Sequence, residues 1–104
     1  MQDLAQIAFL DGAGDIRVNF GVFAGREATP AEIDDLAHLL LEELEAVTIV
    51  AEHRYIVDRE MEASVHQVRI EVGEEDGDAG RLLLIAERWA EACVAERHAE
   101  ISES

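Results

Sequence analysis

Between Val47 and Val72 apolar and polar residues alternate with period two. Val47, Ile49, Ala51, His53, Tyr55 and Val57 fall on one face; after a break at Arg59 and Glu60, His66, Val68, Ile70 and Val72 do the same. Period two belongs to strands, and two such runs around a short break predict a long β-hairpin. Both apolar sets can face one core only if odd positions of the first run lie opposite even positions of the second, because a one-residue slip turns a set outward. A tight reversal at Arg59-Glu60 meets that condition. It pairs Val47 with Val72, Ile49 with Ile70, Ala51 with Val68 and His53 with His66.

Upstream, residues 3–10 and 16–23 read as two shorter strands around Asp11-Gly12-Ala13-Gly14-Asp15, whose glycines can supply the positive φ of a hairpin loop. Ile16, Val18, Phe20 and Val22 alternate with Arg17, Asn19, Gly21 and Phe23. The pattern then changes period. Thr29-Pro30-Ala31-Glu32 combines an N-cap, a proline at the first helical position and a capping-box glutamate, so a helix is expected to run from there to about Ala46. Its apolar stripe is Ile33, Leu36, Ala37, Leu40, Leu41 and Leu44, with Leu39 outside it. A second helix is expected from about Ala79 to His98, turning Leu82, Ile85, Ala86, Trp89, Ala90 and Cys93 inward, before a frayed tail over 98–104.

The order ββαββα in 104 residues predicts one α+β domain spanning 1–104, a two-layer sandwich with a four-stranded antiparallel sheet and both helices on one face. The long helical crossover between the hairpins favours sheet order 1-2-4-3 over a 1-2-3-4 meander. In topology alone this resembles a circularly permuted ferredoxin-like fold, and fold does not give function.

Composition adds one strong feature. Twenty-four acidic residues face eight arginines and no lysine, for a net charge of -16. The acidity is spread over the body of the chain, and such a field repels nucleic acid and anionic membrane while favouring basic proteins or cations. The ordinary reading of this surface is solubility in an Arg-, Ala- and Glu-biased bacterial proteome. No apolar run approaches the roughly 20 residues that cross a bilayer and the N-terminus lacks a signal peptide's basic region, so a cytoplasmic location is expected. One cysteine, Cys93, agrees with a reducing compartment.

No stretch matches a catalytic, cofactor or nucleic-acid motif, and no cofactor is expected. Gly12-Ala13-Gly14 is followed by a strand where a phosphate loop needs a helix. The acidic loop 73–78 lacks calcium-ligand spacing and suits a helix cap. Three local groups remain. His53 and His66, opposed on the hairpin with Tyr55 beside them, are candidate metal or proton-handling residues, although no third ligand is evident. Asp34, His38 and Glu42 recur every four residues on the first helix, a spacing that can hold a divalent ion. Cys93 and Trp89 lie in an apolar stripe and read as core. Serines occur only at 64, 102 and 104, which leaves little material for a Ser-His-acid site.

The sheet face away from the helices is the larger candidate. Arg17, Asn19, Phe23, Val50, Glu52, Arg54, Ile56, Gln67, Arg69 and Glu71 belong to it, and Phe23, Val50, Arg54, Ile56 and Arg69 are its candidate interface residues. The expectation is a small acidic interaction module, dimeric and non-catalytic, that binds another protein. The alternatives are a small-ligand or metal-binding protein, or an enzyme, using His53, His66 and Tyr55, or an acidic mimic of nucleic acid.

Overall fold

The computed structural model describes residues 6–72 and 78–103, with side chains as far as 96. It contains β1 (Ala8–Leu10), β2 (Ile16–Val18), α1 (Phe20–Ala24), α2 (Pro30–Leu40), β3 (Thr48–Val57), β4 (Glu62–Glu71) and α3 (Ala79–Glu103). The four strands form one antiparallel sheet in the order β1-β2-β4-β3. That is the expected order, in which the last strand inserts between its predecessors.

The β3–β4 hairpin has the register that the alternation requires: Ile49 opposes Ile70, Ala51 opposes Val68 and His53 opposes His66. Its reversal lies at Arg59-Glu60. The Asp58 N–H bonds to the Met61 carbonyl at 2.9 Å, and the Asp58 carboxylate accepts from the N–H groups of Glu60 and Met61. An Asp side chain thus supplies the turn that the sequence lacks glycine to make. In the first hairpin Gly14 takes φ +88°, and Asp11 accepts from the Ala13 and Asp15 N–H groups.

Ile16, Val18, Val68 and Ile70 project from the sheet into the core and meet Leu36, Leu40, Leu82, Ala86, Trp89, Ala90 and Cys93 from the helices; each of these is buried. Thr29 caps α2 through the expected capping box with Glu32. Asp78 accepts from the N–H groups of Gly80 and Arg81 at the start of α3. The rest of the expected cap loop, 73–77, lies outside the described residues, and so do residues 3–5 of the first expected strand.

Besides the first strand, which begins only at Ala8, three boundaries differ from the sequence reading. The second strand stops at Val18 and the chain turns into α1, because a helical turn puts Phe20 and Ala24 on one buried face, whereas a continued strand would have buried Val22, which is 45% exposed. Phe20 then lies 5.3 Å from the Trp89 ring, and Gly25 ends the turn at φ +76°. Helix α2 ends at Leu40, not near Ala46. Glu42, Glu43 and Glu45 would have stood at its negative C-terminal end, where acids are unfavourable, and a Glu43 N–H bond to the Leu40 carbonyl closes the turn instead. Helix α3 continues past His98 to Glu103. Among the described residues no helix is long and apolar enough to cross a membrane.

Candidate functional site

The hairpin register sets His53 and His66 side by side. Their rings stack with centroids 4.2 Å apart, and Tyr55 stacks on the other side of His53 at 4.7 Å. His53 Nε2 hydrogen-bonds to the Ser64 hydroxyl, and His66 Nδ1 lies 3.8 Å from a Glu27 carboxylate oxygen. Below the two imidazoles a small pocket of about 130 Å³ is bounded by Phe20, Ala28, Ala51 and Val68. Helix α1 forms one wall: a Cβ on Gly21 would stand 2.9 Å from the His66 backbone nitrogen, so only glycine lets the turn come this close. Tyr55 is 71% exposed. The triad of rings is therefore an open edge of the hairpin that can stack on a flat ligand, accept a proton or offer nitrogen to a metal. Among the described residues of one chain, no three His, Cys, Asp or Glu side chains come together as a metal site.

On the opposite sheet face charge is organised within the chain. Arg17 and Arg69 are directly opposed on β2 and β4, which by itself is repulsive. Glu52 resolves this from β3, with one oxygen 3.1 Å from Arg17 Nη1 and the other 2.7 Å from Arg69 Nε. Asp11 takes Arg17 Nε at 2.6 Å, and Glu71 and Asp15 approach Arg69 Nη1 at 3.0 and 3.5 Å. The hydrogen bond from Arg69, together with that from Arg17, holds the Glu52 carboxyl below its ordinary range against the opposing effect of burial. Gln67, buried at the edge of this cluster, donates to Asn19 Oδ1 at 2.6 Å, and Asn19 donates to the Gln6 carbonyl at 2.7 Å. The chain matches no protein-family model, no curated protein and no solved structure.

Of the candidate interface residues, Val50, Arg54 and Ile56 lie along one face of β3, all half-buried. Arg69 opposes Val50 on β4, but its guanidinium is engaged within its own chain. Phe23 sits on α1 and not in a strand. The Asp34, His38 and Glu42 strip is cut short: His38 Nδ1 bonds to the Asp34 carbonyl at 2.8 Å, and Glu42 lies beyond the end of α2.

Cys93 is buried against Glu32, and burial, then the hydrogen bond to Glu32, pushes its thiol up to about 12, so it stays protonated at neutral pH. The feature that sequence reasoning passed over is β3 as a sheet edge. Ten residues long and without proline, its outer side has no strand beside it among the described residues. The order 1-2-4-3 already implied this exposure.

Proposed function

We propose that this protein is a small acidic interaction module of the cytoplasm that self-associates as a homodimer and works by binding a basic protein, without catalysis. The observation that carries this reading is the outer side of β3. A long, regular edge strand presents alternate backbone N–H and C=O groups to any strand that approaches, and monomeric proteins blunt such edges with charged side chains, proline, bulges or a covering element; β3 carries two charges, Glu52 and Arg54, of opposite sign. Here Tyr55 and Val57, 71% and 66% exposed, add apolar surface along the same strand. The net charge of -16 supports a basic partner and disfavours nucleic acid or an anionic bilayer. Light scattering at low and high salt tests the reading. A dimer that persists at high salt supports it, and a monomer at all concentrations overturns the homodimer.

The stacked Tyr55–His53–His66 rings favour a second reading, a small-ligand or metal-binding protein. Calorimetric titration of untagged protein with zinc, beside the His53→Ala and His66→Ala variants, distinguishes it: stoichiometric binding lost in both variants makes the hairpin a metal site. Capture of a basic protein that collapses as salt rises, with competition by nucleic acid, would instead mark an acidic mimic.

A further inference from the structure

Resting on the homodimeric reading, the pattern along β3 also specifies how two copies meet. We propose that β3 pairs antiparallel with β3 of a second copy about a two-fold axis through His53, joining two sheets into one of eight strands.

A two-fold that pairs an edge strand with itself antiparallel stands perpendicular to the sheet, so both copies keep their helices on one side and opposed residues share a face. Three centres at the middle of β3 keep most of the strand paired. Centring on Glu52 sets Glu52 against its own copy, and centring on Arg54 sets Arg54 against its own copy; both oppose like charges. Centring on His53 sets Arg54 opposite Glu52 and Ile56 opposite Val50, and symmetry makes each pairing twice. Opposite charges meet, and branched apolar residues meet.

The other face agrees independently. The same register sets Tyr55 opposite Ala51 and Val57 opposite Ile49. Ala51 and Ile49 form the strand side of an open groove of about 490 Å³ whose other side is Pro30, Ile33 and Ala37 of α2. The most exposed large apolar side chains of one copy, Tyr55 and Val57, therefore land on the apolar groove of the other. The ion-pair pattern and the plug-and-groove match both fit this two-fold.

Single cysteines along β3 test the register. Opposed Cβ atoms lie about 5 Å apart, so His53→Cys on the two-fold should cross-link to its own copy under diamide. Val50→Cys faces position 56 of the partner, and its own copy lies six residues along the strand, about 20 Å away; it should cross-link at least tenfold more slowly. The Val50→Cys/Ile56→Cys pair should recover the lost rate. Both single variants alter residues away from the buried core, and Cys93, buried, provides an unreactive background. A dimer by light scattering in which His53→Cys cross-links no faster than Val50→Cys overturns the register and leaves the homodimer standing. A monomer overturns both.

Discussion

The Trp89 indole Nε1 donates to the main-chain carbonyl of Glu32 at 2.9 Å, pinning the first turn of α2 to the middle of α3. The Glu32 side chain faces the other way and gathers a second set of partners. Arg26 approaches its two oxygens through Nη1 and Nη2 at 2.7 and 2.9 Å, the Thr29 N–H and hydroxyl donate to it, and the Cys93 thiol adds a further bond. One residue thus joins the α1–α2 connection, the helix cap and α3.

Acid should release this junction. The Arg26 bond, with the Thr29 and Cys93 bonds, holds the Glu32 carboxyl at about 2 against an ordinary value of 4.5, despite the opposing effect of burial. A carboxyl whose pKa is depressed by folding contributes stability that is present above its unfolded value and is lost as pH falls through its folded value. The Glu32→Gln variant keeps the cap geometry without the charge. Urea melts should put it about 1–3 kcal/mol below the parent at pH 7, and the gap should close between pH 4.5 and about 2. A gap that is constant with pH would mean that charge contributes nothing there.

Gln67 and Asn19 should behave as a coupled pair. Both are buried, and the bond between them is 2.6 Å. Replacing either by leucine removes a partner from the other at a site that water reaches poorly, at a cost of about 1–3 kcal/mol. The double variant should cost less than the sum of the two, which a double-mutant cycle on urea unfolding measures. Strict additivity would show that the bond couples nothing.

At Gly21 two effects oppose each other. Alanine in place of glycine inside a helix gains up to about 1 kcal/mol from backbone propensity. Its Cβ, however, would stand 2.9 Å from His66 N and 3.1 Å from His66 O, both backbone atoms that cannot rotate away. Overpacking of this kind costs about 1–3 kcal/mol, and α1 is only five residues long, so the steric effect should win. Gly21→Ala is expected to lower the urea midpoint and to shift the His66 ring resonances in NMR spectra, whereas a raised midpoint would show that α1 moves off β4 at no cost.

Much of this fold was legible because alternation and capping act locally. The register of β3 on β4 followed from which residues must share a face, and the α2 start followed from Thr29, Pro30 and Glu32. The turn at Phe20 was not legible, since Ile16, Val18 and Phe20 satisfy a strand period as well as Phe20 and Ala24 satisfy a helical one. Only packing against Trp89, a residue far away in sequence, decides between them. The His53–His66 stack could be read from the register, but the Arg17–Glu52–Arg69 cluster required knowing that β2 and β3 flank β4. That is a property of sheet order, not of any single segment.

Self-association should depend on different residues in different ways. Val50 and Ile56 are half-buried on an edge strand and absent from the core cluster, so truncating both to alanine should leave the fold intact and weaken the dimer. Arg54→Glu places an acid opposite the partner's acid twice per dimer. With cross-strand charge pairs worth up to about 1 kcal/mol each, the dissociation constant should rise on the order of tenfold, and more at low salt than at high salt because screening weakens the repulsion. Truncation of Val50 and Ile56 should instead weaken the dimer by a factor that salt barely changes, since the lost contacts are apolar. Sedimentation equilibrium of the two variants at about 50 and 500 mM salt, within and beyond the reach of screening, separates the ionic from the apolar part. If neither variant moves the dissociation constant, the β3 edge is not where the copies meet.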